Sequence, residues 1–192
     1  MTPLPDALLE AVAAAAVREG LADAIFTRLN TPIGRLLVVQ GERGVLRVAF
    51  EEEPEDGVLA QIAARFGPRI VGSDRELTAT RDALDAYFAG EGDPGLPVDL
   101  SLVAAPFRHV VLETLHDEVA PGQVVTYADL ARRAGNPRAY RAAATACARN
   151  PIPILVPCHR VLPGGGGLGA YGGGPERKQA LLALEGAPTT VR

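Results

Sequence analysis

Asn150-Pro151-Ile152-Pro153-Ile154-Leu155-Val156-Pro157-Cys158-His159-Arg160-Val161-Leu162 reads as a buried, non-helical segment that delivers one cysteine to a fixed place. Three prolines break any helical hydrogen-bond ladder, and the four apolar residues between them belong inside a core. A thiol reacts as thiolate, and at a pKa of about 8.5 only a few per cent is ionised near neutrality. Activation needs a base or a positive environment, and His159 and Arg160 follow at once. The pair alone leaves two readings open, a nucleophile or an inert packed thiol, since free cysteine is among the most buried residue types.

Working upstream, residues 136–149 are nearly all Ala and Arg, with Asn136 placed to cap a helix and Pro137 to open it. Before Gly135 a shorter helix carries Tyr127, Leu130 and Ala131. Thr126 stands at its start and Asp129 at the capping-box position. Two short helices joined by Gly135-Asn136-Pro137 predict a helix-turn-helix. Alanines 139, 142, 143, 144, 146 and 148 leave little bulk on the second helix. Such a surface suits close entry into a groove, with Arg138, Arg141 and Arg149 on phosphates, and equally suits a tightly packed support. Phe107, Val110, Val111, Leu115 and Val119 mark a further helix, stopped by Pro121-Gly122.

The whole chain, 192 residues with 47% apolar and 22% charged, can bury a core as one large domain or two small ones. No apolar run reaches the roughly 20 residues that span a bilayer. Met1-Thr2-Pro3-Leu4-Pro5-Asp6 has no basic lead into an apolar stretch, so no signal peptide is expected. Two cysteines exclude a disulfide scaffold and, with three histidines, leave little for zinc; a reducing cytoplasm is the expected location. Residues 1–100 carry 9 basic and 17 acidic side chains, and residues 101–192 carry 10 and 6, which fits either a polyanion-binding half on a separate support or chance unevenness.

In the first half, residues 6–22 predict an Ala-rich helix capped by Asp6. Ile25–Leu29, Arg35–Val39 and Val45–Phe50 predict an antiparallel meander, and Glu51–Asp56 a solvated acidic loop. Leu59, Ile62, Ala63 and Phe66 share one helical face, and Leu77, Leu84 and Phe88, with Ala83 and Tyr87, share another. Gly90–Pro97 is turn-forming, and the domain boundary is placed between it and Ala105-Pro106. The expected fold class is α+β. Residues 1–100 form a support domain with a small antiparallel sheet, and residues 101–192 a helical helix-turn-helix domain carrying the cysteine.

Residues 105–186 resemble the C-terminal domain of the O6-alkylguanine-DNA alkyltransferases, also called methylated-DNA–protein-cysteine methyltransferases. The resemblance rests on Pro157-Cys158-His159-Arg160-Val161 preceded by Asn150-Pro151, and on Pro121-Gly122-Gln123-Val124-Val125-Thr126-Tyr127-Ala128-Asp129-Leu130-Ala131. It continues through Asn136-Pro137 and Arg141-Ala142, then Gly167–Gly173 and Lys178–Glu185. The first hundred residues are similar more loosely, through Thr31-Pro32-Ile33-Gly34 and the meander.

The resemblance implies irreversible, single-turnover transfer of an alkyl group from guanine O6 in double-stranded DNA to Cys158, with no cofactor and no metal. His159 would take the thiol proton through a water, oriented by Glu185. The sequence independently places Glu185 on the apolar face of Leu181 and Leu182, where a carboxylate needs a partner. Tyr127 would donate toward guanine N3, Tyr171 and Gly172 would line the pocket, and the Val161 carbonyl would face the exocyclic amine. Asn150 would pin the turn after the recognition helix. That helix, with Arg138, Ala142 and Ala144, would lie in the minor groove, and Arg141 would fill the place of the extruded nucleotide. No membrane partner is implied; a monomer is expected in solution, with cooperativity along DNA left open.

Departures are visible too. Ala142-Ala143-Ala144-Thr145 replaces the family's small-branched-glycine run, and Tyr140 stands where a small residue is usual. Gly164–Gly167 suggests a mobile loop beside the pocket. No Cys or His precedes His109, so an N-terminal zinc has no ligands, and Cys147 reads as a packing residue. Two rivals remain: a lesion-binding protein that does no repair, which would lack Cys158, and an unrelated Cys-His hydrolase, which would turn over repeatedly.

Overall fold

Three consecutive apolar runs build the sheet. In the computed structural model, which describes residues 6–191, they are β1 (Ala24–Thr31), β2 (Gly34–Gly41) and β3 (Gly44–Phe50). They pair antiparallel, with Thr27 opposite Val38 and Val38 opposite Val48. The β2–β3 turn closes on Gly44 at φ +142°, where a Cβ would run into the Pro97 carbonyl. Ahead of them α1 (Asp6–Arg18) ends sooner than expected. Gly20 adopts φ +64° and Leu21 N returns to Ala16 O at 2.8 Å, which terminates the helix. The Asp6 side chain expected to cap it lies outside the described residues.

A fourth strand, β4 (Ile70–Gly72), pairs parallel with β1, so the sheet is mixed, in the order β3-β2-β1-β4, and not purely antiparallel. Its three residues, Ile70–Gly72, carry no readable alternation. The crossover to it is α2 (Glu55–Phe66), and α3 (Thr78–Phe88) follows. The acidic segment is more than a solvated loop. Glu53 pairs with Arg47, Glu55 with Arg28, and Glu51 and Glu52 with Arg177 at 2.9 and 2.8 Å.

Both faces of the meander are apolar. On one, Leu37, Val39, Leu46 and Ala49 pack under Val58 and Ile62 of α2. On the other, Leu29, Leu36, Val38, Val48 and Phe50 join Val111, Leu112, Leu115, Leu130, Ile152 and Val156 in one core spanning both halves of the chain. The second half contributes α4 (Pro106–Glu118), β5 (Val125–Thr126), α5 (Tyr127–Arg133), α6 (Tyr140–Ala148), β6 (Val161–Leu162) and α7 (Pro175–Leu184), with β5 and β6 parallel. Thr126 and Asp129 form the capping box of α5, Thr126 Oγ1 accepting from Asp129 N at 3.0 Å. Helix α6 begins four residues later than Asn136. Ala139 N first closes a separate turn onto Asn136 O, and Ala139 is the cap, with no side-chain bond. Among the described residues no helix is long and apolar enough to cross a membrane.

Candidate active site

Asn150, two residues past the end of α6, folds the following turn onto itself. Its Nδ2 donates to Val156 O at 2.7 Å and to Cys158 Sγ at 3.2 Å, while its Oδ1 accepts from Ile152 N at 3.0 Å. The turn holds Ile154 at φ +77°, a left-handed conformation costly for a β-branched residue, by about 1–3 kcal/mol. Burial and outside anchors keep it there. Val48 N and Arg47 Nη1 of β3 both donate to Pro151 O, at 3.0 and 2.9 Å, and His116 Nδ1 lies 3.0 Å from Leu155 O.

Cys158 opens a single 3-10 turn, Cys158–Arg160, and is 6% exposed. Burial pushes its thiol above the ordinary range, opposed by the Asn150 donor and the positive charge of Lys178. The resting group is therefore a thiol that needs a base. Arg160, adjacent in sequence, turns away from the sulfur. Its Nε and Nη2 each lie 2.8 Å from Glu185, and its Nη1 donates to Val119 O. The cation acting on the thiol is Lys178 of α7, fully buried, with Nζ 2.8 Å from Val161 O. The Val161 carbonyl, expected to meet the guanine amine, thus already accepts one hydrogen bond from the buried Lys178.

His159 is wholly buried, with Nε2 at 2.9 Å from Glu185 Oε1. A carboxylate only accepts, so Nε2 carries the hydrogen and Nδ1 bears the lone pair. Nδ1 has no hydrogen-bond partner among the described residues. Burial lowers the imidazole pKa below its ordinary value despite the carboxylate beside it, leaving a neutral base near neutral pH. Glu185 caps the C-terminus of α7, where the helix dipole disfavours negative charge. Burial would raise its pKa further, but the donors of His159 and Arg160 prevail and hold it at about 2. A fourth donor, Tyr87 Oη of α3, reaches Oε1 at 2.8 Å.

A cavity of about 580 Å³ opens onto Cys158, lined by Tyr127, Ala144, Thr145, Cys147, Ala148, Pro163, Gly169, Tyr171 and Gly172. Its walls therefore come from α5, α6 and the glycine-rich loop. Burial, then the nearby Cys147 and Cys158, push the Tyr127 phenol up to about 12, which makes it a donor at neutral pH. Tyr171 Oη is buried without a partner among the described residues, and its ring stands edge-on to His159 at 6.5 Å between centroids. A second cavity, about 470 Å³, meets Cys158 from the seam with β3 and α4. A further cavity, about 670 Å³, lies beside α1, β1 and β2 and contains no nucleophile.

The expected site residues fall into two sets. Cys158, His159, Glu185, Asn150, Tyr127, Val161, Tyr171 and Gly172 gather around the sulfur or directly behind it. Arg141 and Ala142 lie exposed on the outer side of α6, Arg138 lies exposed in the turn before the helix and not on it as expected, and none of the three lines the cavity; Ala144 connects the two sets. Cys147, read as packing, also lines the cavity wall. Sequence reading set Arg160 beside the thiol, whereas it pairs with Glu185, and it missed Lys178 and Tyr87. For Lys178 a signal existed, since it is the chain's sole lysine and precedes Leu181 and Leu182 by three and four residues.

Residues 106–187 match the family model described as 6-O-methylguanine DNA methyltransferase, DNA binding domain, and residues 24–100 match its ribonuclease-like domain. A methylated-DNA–protein-cysteine methyltransferase of Mycolicibacterium paratuberculosis is 41% identical over 163 residues, covering 83% of this chain and 91% of that protein. One from Cricetulus griseus is 34% identical over 183 residues, covering 85% and 83%. Among solved structures, the Mycobacterium tuberculosis O6-methylguanine methyltransferase superposes with a TM-score of 0.72 at 31% identity, covering 84% of this chain and 92% of that one. The Mycobacterium tuberculosis OGT in complex with DNA gives 0.71 at 32% identity, covering 85% and 95%.

Proposed function

The chain belongs to the 6-O-methylguanine DNA methyltransferase family and repairs DNA by alkyl transfer to cysteine, and on that premise we propose that Cys158 is the acceptor. The substrate is O6-alkylguanine in double-stranded DNA, and each molecule reacts once, without a cofactor. The observation that carries this reading is one sulfur at the wall of a cavity shared with α6, backed by the His159–Glu185 contact at 2.9 Å.

Cys158 Sγ attacks the alkyl carbon; the S–C bond forms as the C–O6 bond breaks, and the electron pair stays with the guanine. The thiol proton passes through one water to His159 Nδ1, and Glu185 stabilises the imidazolium through Nε2–H. Tyr127 donates toward N3 of the departing base, Tyr171 and Gly172 border it, and Val161 O accepts from its amine. Extrusion of the nucleotide precedes this, because O6 lies inside the stack. Arg141 fills the vacated place, Arg138 neutralises phosphate, and Ala142 and Ala144 permit close approach. Labour divides between residues 1–100 as support and residues 101–192 as the DNA-binding, alkyl-accepting part. The protein acts in the cytoplasm as a monomer.

Intact mass spectrometry after incubation with an O6-methylguanine duplex tests the reading. Wild type gains one methyl group per chain on Cys158, while Cys158→Ser gains none and still binds duplex. Transfer by Cys158→Ser, or methyl on another residue, would overturn it.

A further inference from the structure

Glu185 has a task its position makes difficult. It must hold the His159 ring from the C-cap of α7, an end that frays and whose dipole repels its charge. Four hydrogen bonds saturate the carboxylate, and one of them comes from the other half of the chain. Tyr87 Oη donates to Oε1, the same oxygen that receives His159 Nε2 and Arg160 Nη2. Tyr87 is 2% exposed, and its ring is fixed edge-on against Phe88 at 5.2 Å. Its neighbour in the loop after α3, Asp93, reaches Arg160 Nη2 at 3.5 Å. The first half of the chain thus contacts both members of the Glu185–Arg160 pair.

We propose that Tyr87 is a positioning residue for alkyl transfer: its phenol fixes the Glu185 carboxylate and shares the oxygen that orients His159. The inference rests on the reading of Cys158, His159 and Glu185 as the reacting array. The groups facing this carboxylate and imidazole are Tyr87 and Asp93 from the first half, Arg160 and Cys158 from the 3-10 turn, Lys178 from α7, and Tyr171. Beside the neutral His159 ring it helps to orient, Tyr87 adds a second neutral donor to Oε1. Burial and the charge of Glu185 keep the phenol protonated far above neutral pH, so the donation persists across the working range. Removing the hydroxyl leaves more charge on Oε1 for His159. The imidazolium is then favoured, and the acidic limb of the rate profile moves to higher pH.

The test is single-turnover transfer from an O6-methylguanine duplex to full-length wild type, Tyr87→Phe, Glu185→Gln and the double variant, each from pH 5 to 9. Tyr87→Phe retains the ring and removes one hydrogen bond to a charged group, and should slow transfer about tenfold. Its acidic midpoint should rise by about half a unit. In the Glu185→Gln background the same change should have almost no effect. A wild-type rate with an unmoved midpoint overturns the proposal. So does a pH-independent loss that multiplies with that of Glu185→Gln, which assigns Tyr87 to packing alone. Cys158→Ser in the same series separates the premises: transfer there overturns the acceptor reading, whereas a silent Tyr87→Phe overturns only the role of Tyr87.

Discussion

Helix α6 and the segment that follows it differ in almost every physical respect. Residues 152–162 are buried throughout, and their turn is tied by Asn150, by β3 and by the His116 ring. Helix α6 buries Ala143, Ala146 and Cys147 on one side, while Arg141, Ala142 and Thr145 remain exposed on the other. The first region is finished before any substrate arrives, as charge-stabilising machinery must be. The second is smooth, presents Arg141 outward, and under the proposed function acquires its partners from the nucleic acid. The contrast predicts that damage to the segment harms every substrate alike, and damage to the helix harms only duplex.

The largest such effect should come from Glu185→Gln, which removes the partner that holds His159 of that segment. Loss of the group that stabilises the imidazolium slows transfer by about 10²–10⁴-fold, equally for duplex and for free O6-benzylguanine. It also leaves the buried Arg160 short of its counter-charge, which destabilises the fold by about 3–5 kcal/mol at neutral pH. The pH dependence has a definite sign. The folded Glu185 titrates at about 2 against an ordinary 4.5, so its stabilisation is complete above 4.5 and disappears as pH falls toward 2. Denaturation midpoints of wild type and variant should therefore converge over that window. A gap that stays constant on acidification would remove Glu185 from the ionised state assigned to it. A loss confined to duplex would break the comparison between the two regions.

The same contrast explains what the sequence disclosed. The meander was legible because alternation over seven or eight residues is a strong signal, whereas β4 has three residues and none. Cys158, His159 and Asn150 lie within ten positions of one another, and Glu185 betrayed itself by sharing the apolar face of Leu181 and Leu182. Lys178 occupies that face as well, but a lysine stem ordinarily carries its charge out to water, and nothing local says that this one ends at Val161 O. Tyr87 read as a core aromatic, which it is. Its hydroxyl matters through a partner 98 residues away, a separation no periodicity reports. The acidic loop misled for the same reason, since Arg177 lies 126 residues from Glu51.

A smaller and more selective effect is expected on the helix. Arg141→Ala should slow duplex repair by about 10–100-fold, because refilling the stack offsets an extrusion cost of a few kcal/mol. Reaction with free O6-benzylguanine, which needs no extrusion, should stay within about twofold of wild type by the same reasoning. Equal losses on both substrates would assign Arg141 to folding instead, and the distinction between the regions would lose its sharpest support.

Tyr140 gives the finest discrimination. It is 47% exposed, and the Arg141 guanidinium rests over its ring at 5.6 Å. Two opposing terms follow. Parking the guanidinium on the ring stabilises the unbound form by about 0.5–1 kcal/mol at an exposed site, a contact Arg141 must leave to enter the stack. Stacking of the exposed ring on a base or sugar of the opened duplex returns about 1–3 kcal/mol. The second term is larger, so Tyr140→Ala should weaken duplex repair by about fivefold and leave the free base untouched. Tyr140→Phe, which preserves the face of the ring, should restore most of it. Faster repair by Tyr140→Ala would mean that the parking contact dominates, and that this helix, unlike the segment behind it, is held back by a bond it must break before it can act.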